Sequence, residues 1–153
     1  MRKVLFWVKK IGRFIFRNPH KRLTILIYFY TAVYRYRMLY WKSKRLEKSI
    51  GVRNKESSDC ESEDVLKRAY YIGRLVEATA RGTPWESKCL VCALTARKLL
   101  LAEGIATTLY LGVGKENDKM IAHAWLRCGQ LYITGGNGSG YAAVTHFLCK
   151  PSV

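Results

Sequence analysis

The sequence predicts an α+β fold, with helices first and a small antiparallel sheet after them. Two observations predict it. Apolar residues recur at helical spacing as far as Leu101, then alternate at strand spacing from Ala106 to Leu148. Glycine-rich breaks crowd the second part, at Gly112 and Gly114, at Cys128-Gly129, and through Gly135 to Gly140. With 153 residues the chain is long enough for one domain with a sizeable core, but not for two large ones.

Charge divides the chain in two. Residues 1–55 hold 16 Lys/Arg and a single acid, Glu47; residues 56–153 hold 11 Lys/Arg against 10 Asp/Glu. Nearly all of the net charge of +16 therefore sits in the first third. The expected organisation is a basic, aromatic helical arm over 1–55 and a near-neutral globular domain over 56–153.

Within the arm, Val4, Leu5, Val8, Ile11 and Ile15 fall near helical spacing between Lys and Arg residues, and Asn18-Pro19 breaks the pattern. Residues 23–34 are apolar apart from Thr24 and Thr31. That run is short of the roughly 20 apolar residues a membrane span needs. Its basic flanks and its tyrosines suit a helix lying on an anionic membrane surface or on a partner. A helix packed on the chain's own core fits equally well. A nucleic-acid partner is not expected, because phosphate binding needs no long apolar face.

Residues 51–63 form a polar linker. Ser62 or Asp59 is positioned to cap a helix over 64–80, which carries Val65, Leu66, Ala69, Ile72, Leu75 and Val76 on one face. Arg81-Gly82-Thr83-Pro84 ends it. A second helix begins near Ser87 and closes at Gly104. Strands are expected over 106–113, 120–127, 131–134 and 142–148.

Cysteine usage points to a reducing compartment. The five cysteines are an odd number, and no secretory signal is recognisable, so the cytoplasm is expected, with the arm as a candidate peripheral attachment to the inner face of the membrane. No metal site is expected, because Cys89-x-x-Cys92 has no second paired-cysteine motif. No cofactor is expected either.

The chemistry lies in Cys89 and His123. A free thiol is only a few per cent ionised at neutral pH and needs activation. Cys89 falls in the first turn of a predicted helix, where unpaired N–H groups favour an anion. His123, within Ile121-Ala122-His123-Ala124-Trp125, is a candidate base on a following strand. Trp125 falls on the same strand face and is placed to shield the pair. His20 and His146 read as solvated and structural. A third residue to orient the imidazole is harder to find. The next strand, Leu131-Tyr132-Ile133-Thr134-Gly135-Gly136-Asn137, contains no acid. Thr134, Asn137 or a backbone carbonyl is left for the role, and Asn137 is the candidate side chain.

Cysteine before histidine, helix before strand, is the order of papain-like and transglutaminase-like enzymes. The run Thr83-Pro84-Trp85-Glu86-Ser87-Lys88-Cys89-Leu90, then Leu109-Tyr110-Leu111-Gly112-Val113, then His123-Ala124-Trp125-Leu126, resembles the leader peptidases of lasso-peptide biosynthesis, in the transglutaminase-like cysteine-protease superfamily. The resemblance covers about residues 65–148. It implies a papain-like or transglutaminase-like core that removes the leader of a ribosomally made precursor peptide. It implies Cys89 as nucleophile and His123 as general base, with the family's Asp position falling near Gly135. Trp85 and Trp125 are expected against substrate. The partners it implies are the precursor peptide, a separate leader-recognition protein and an asparagine-synthetase-like cyclase. A transglutaminase-type acyl transferase and a catalytically silent scaffold are the alternatives.

Overall fold

The computed structural model describes residues 20–151, so the expected helical spacing over 3–16 and the break at Asn18-Pro19 lie outside the described residues. Among the described residues the helices come first, with one two-residue strand set between them, and four longer strands follow. The elements are α1 (Lys21–Tyr40), α2 (Ser43–Ile50), β1 (Val52–Arg53), α3 (Glu63–Ala80), α4 (Cys89–Ala102), β2 (Thr107–Glu116), β3 (Lys119–Cys128), β4 (Leu131–Thr134) and β5 (Tyr141–Cys149). The sheet runs β1-β5-β2-β3-β4, and every neighbouring pair is antiparallel. This is the α+β class the sequence predicts.

Helix α1 carries apolar residues on several sides, and one stripe of it is buried. That stripe is Thr24, Ile27, Thr31 and Tyr34, at helical spacing. It packs against α3 and α4. Ile27 has no exposed surface, and Thr31 turns its hydroxyl back onto the Tyr28 carbonyl at 2.9 Å, so a polar group is satisfied inside the interface. The opposite side leaves Phe29, Tyr36, Leu39 and Tyr40 exposed. The helix ends at Trp41, whose ring lies under the guanidinium groups of Arg37 and Arg45.

The basic segment is therefore woven into the rest of the protein. Two parts of it, α1 and β1, join the core and the sheet: Val52 and Arg53 pair with Leu148 and Phe147 of β5. Buried Arg97 of α4 fixes the junction. Its Nε donates to the Ile50 carbonyl and its Nη2 to the Ser49 carbonyl, each at 2.7 Å, which satisfies the C-terminal end of α2. A second buried arginine, Arg127 of β3, holds the linker. It bonds Asp59 and Glu56, the Gly129 carbonyl and the Tyr110 hydroxyl.

Ser62 caps α3, its hydroxyl accepting from the Val65 N–H. Ala69, Ile72 and Val76 of α3 meet Val91, Leu94 and Leu100 of α4, and Leu109, Leu126 and Phe147 close the core from the sheet. Strands β2 and β3 are longer than the pattern predicts. They run on to a two-residue turn at Asn117-Asp118, both with positive φ, which is the conformation that matches strand twist in a tight hairpin. Where β5 meets β2, the register slips between Leu111 and Gly112, leaving Val144 without a partner across the ladder.

Candidate active site

Helix α4 starts at Cys89 itself, two residues later than expected, with Lys88 at the N-cap and no side chain capping it. The first-turn N–H groups are thus free to bond an anion brought to the sulfur. Cys89 is partly exposed, whereas Cys92, one turn on, is buried. Burial pushes the Cys92 thiol up to about 12, with the Glu77 carboxylate adding to the shift. Its Sγ instead donates weakly to the Ser87 carbonyl at 3.4 Å. Of the two sulfurs, only that of Cys89 opens on a cleft. All five cysteines are free thiols. Among the described residues no group of three or more His, Cys, Asp or Glu side chains converges as metal ligands would.

The cleft has a volume of about 440 Å³. Met38 of α1, Leu90 of α4, Leu111 and Val113 of β2, and Val144 at the bulge make it apolar, and Cys89 and His123 both line it. Such walls suit an extended peptide with aliphatic side chains. Sequence reasoning missed Met38 and Val144. One belongs to the arm, and the other owes its place to a bulge that alternation alone does not reveal.

His123 pairs with Gly112 across β2, and Trp125 pairs with Tyr110. Strand parity puts these four on one face of the sheet and the cleft-lining Leu111, Val113 and Ala124 on the helix-packed face. The imidazole sits in an aromatic cluster. Tyr141 stacks on it with ring centroids 4.4 Å apart, Trp125 lies 6.0 Å away, and those two rings are 6.5 Å from each other. Trp125 in turn stacks on Tyr110 at 5.5 Å. No hydrogen bond joins Cys89 to His123, and strand parity turns the imidazole toward the sheet face opposite the one that packs on α4, so both residues line the cleft without their reacting atoms meeting.

The imidazole is fixed from its other side. Its Nε2 lies 2.7 Å from the Gly135 carbonyl oxygen. A carbonyl only accepts, so Nε2 carries the hydrogen and Nδ1 is left with the lone pair. Gly135 follows β4 directly, the position where the sequence resemblance leads to the expectation of an Asp. Its φ of +75° is the left-handed region that favours glycine, and a Cβ there would collide with the Ala124 carbonyl. Gly138 is also in the left-handed region and lies against the Trp125 indole, where a Cβ would come within 2.6 Å of the ring. The glycine loop is thus pressed onto the aromatic cluster.

The remaining expected site residues lie elsewhere. The Asn137 amide oxygen accepts from the Ser139 N–H at 3.0 Å, a local turn, and makes no bond to His123. Trp85 meets Tyr28 edge-on, anchoring the loop before α4 to α1. Trp125 is 5% exposed. Neither tryptophan is among the residues lining the cleft.

A cysteine opening a helix, a histidine on a following antiparallel strand and a shared cleft make a specific arrangement. A family model described as the transglutaminase-like superfamily matches residues 30–149, well over half of the chain. The chain belongs to the transglutaminase-like superfamily. That superfamily includes cysteine peptidases and acyl transferases. The match begins inside α1, so the family domain takes in the second half of that helix as well as the sheet. No curated protein and no solved structure matches the chain. Among the described residues of this transglutaminase-like protein, no helix is long and apolar enough to cross a membrane.

Proposed function

We propose that this transglutaminase-like protein is a cysteine peptidase that removes the leader from a ribosomally made precursor peptide, in the manner of lasso-peptide maturation. The observation that carries the reading is the cleft shared by Cys89, at the first residue of α4, and His123. The Pro84-Trp85 and His123-Ala124-Trp125 motifs support the narrower assignment.

The chemistry runs in two stages. The Cys89 sulfur attacks the scissile carbonyl while His123 Nδ1 takes the thiol proton. First-turn N–H groups of α4 bond the oxyanion. As the C–N bond breaks, the imidazolium gives its proton to the departing amine, which is the new N-terminus of the core peptide. Water then attacks the thioester with His123 again as base, and the carboxylate of the leader leaves the sulfur. The freed amine is the substrate of a separate asparagine-synthetase-like cyclase, and a separate leader-recognition protein delivers the precursor. The exposed apolar side of α1, with its neighbouring Arg and Lys residues, is the surface offered to those partners or to an anionic membrane.

A second reading, a catalytically silent scaffold that presents the precursor, draws on one observation: Cys89 and His123 are not hydrogen-bonded, the imidazole being turned to the sheet face away from α4. Incubation of the purified chain with precursor and leader-recognition protein, followed by mass spectrometry, separates the two. The peptidase yields free leader and core, and Cys89→Ala yields neither. Intact precursor with wild-type protein would favour the scaffold. A leader joined to an added amine instead of water would identify an acyl transferase.

A further inference from the structure

The imidazole's support does not end at Gly135. The N–H of the same residue donates to Glu77 Oε1 at 3.1 Å, and the other oxygen, Oε2, accepts from Arg74 Nη1, also at 3.1 Å. A continuous chain therefore runs from a carboxylate on α3, through the Gly135 residue, to His123 Nε2.

We propose that Glu77 is a positioning residue for His123, supplying from the helix, through Gly135, the acid that strand β4 lacks.

Three further observations favour it. Glu77 stands in the last turn of α3, the negative end of the helix, where a carboxylate is unfavourable and needs a compensating contact. Its side chain is 27% exposed, so it is held mostly inside and not left in solvent. Its carboxylate also helps push the Cys92 thiol of α4 up. The physical route is positional. A carboxylate accepting the Gly135 N–H holds the turn in place. The Gly135 carbonyl is thereby fixed where it accepts from Nε2, and Nδ1 stays the lone-pair nitrogen for Cys89. Arg74 fixes the carboxylate in turn. The other groups facing the imidazole are Tyr141 of β5 and Trp125 of β3, and Lys88 and Cys89 at the start of α4 share its cleft.

The inference rests on His123 acting as base for Cys89, and one pair of measurements keeps the two separate. Long-range proton–nitrogen NMR of the full chain reads the tautomer of His123 directly. Wild type is expected to show Nε2–H. Glu77→Ala should mix the tautomers. Glu77→Gln, which keeps an acceptor oxygen, should retain the Nε2–H tautomer. Unchanged His123 signals in Glu77→Ala would overturn the proposal whatever the catalytic result. In parallel, the rate of Cys89 alkylation against pH is measured in wild type and His123→Ala. Identical profiles there would remove the Cys–His pairing, while the NMR signals would still decide the role of Glu77. In the leader-removal assay Glu77→Ala should lower kcat roughly tenfold with little change in KM, the scale of one lost orienting hydrogen bond.

Discussion

His123 Nε2 donates to the carbonyl oxygen of Gly135 at 2.7 Å, so main chain, and not an acidic side chain, holds the imidazole. This arrangement demands glycine. Adding a methyl at a φ of +75°, against the Ala124 carbonyl, strains the turn and moves the acceptor. Gly135→Ala should lower leader removal roughly tenfold or more and lower the melting temperature as well. Gly135→Asp would put an acid at this position, yet it carries the same Cβ into the same collision. It should be no more active than Gly135→Ala. Peptide cleavage and thermal melts of the two variants check this, and a Gly135→Asp protein more active than wild type would refute it.

The two cysteines of α4 should differ sharply in reactivity. Cys89 lines the cleft, while Cys92 is buried with a thiol pushed up to about 12. Ionised sulfur is the alkylating species, so near neutral pH a thiol held that high stays inert. Iodoacetamide should therefore modify Cys89 and spare Cys92, as read by peptide mass spectrometry. Exposed Cys60 is the internal control for simple access. Cys92→Ala should keep most of the activity, and Cys89→Ala none. Labelling of Cys92 ahead of Cys89 would contradict the placement of the sulfurs.

Burial also gives the fold an alkaline limit. Desolvation pushes Cys92 up to about 12 and Cys128 up to about 11, from ordinary values near 9. The folded state keeps these protons longer than the unfolded chain does. Their contribution is complete below about pH 9 and is lost as pH rises toward 11 and 12. Urea midpoints should fall across that window, and Cys92→Ala should fall less steeply than wild type. Parallel slopes for the two proteins would show that Cys92 is not the cause.

Much of the catalytic half was legible because its signals are local. Ser62 announces α3, the change of period after Gly104 announces the sheet, and Cys89 and His123 stand out as polar groups in apolar runs. Three features escaped because each depends on contacts far apart in sequence. No local pattern marks Arg97 or Arg127 as interior, yet they are buried against carbonyls and carboxylates of the linker and of α2. The imidazole's partner is a main-chain carbonyl, and no residue type announces a carbonyl. Val144 enters the cleft through a bulge, which strict alternation hides. The arm was the most ambiguous element, since periodicity cannot tell what an apolar helix packs against. Its buried stripe of Thr24, Ile27, Thr31 and Tyr34 answers that question for one side of α1.

Removal of the arm should therefore unfold the protein, not free a soluble domain. A chain beginning at Ser57 lacks α1, α2 and β1. The faces of α3 and α4 that cover Ile27 and Tyr34 would open to water, at about 1.5–3 kcal/mol for each large apolar side chain's worth of burial. Arg97 is 7% exposed and would lose both carbonyl acceptors, leaving a buried charge with its main partners gone. Loss of β1 would also bare the edge of β5, an invitation to pair with another chain. Each effect is a sizeable fraction of the stability of a small domain. The truncated chain should aggregate and show no cooperative thermal transition by circular dichroism. Full-length protein with Ile27→Asp isolates the packing term, because it leaves β1 and the Arg97 acceptors in place, and it should melt well below wild type. A soluble, cooperatively folded chain from Ser57 onward, melting within a few degrees of the full-length protein, would show that α1 is an attachment device and no part of the core.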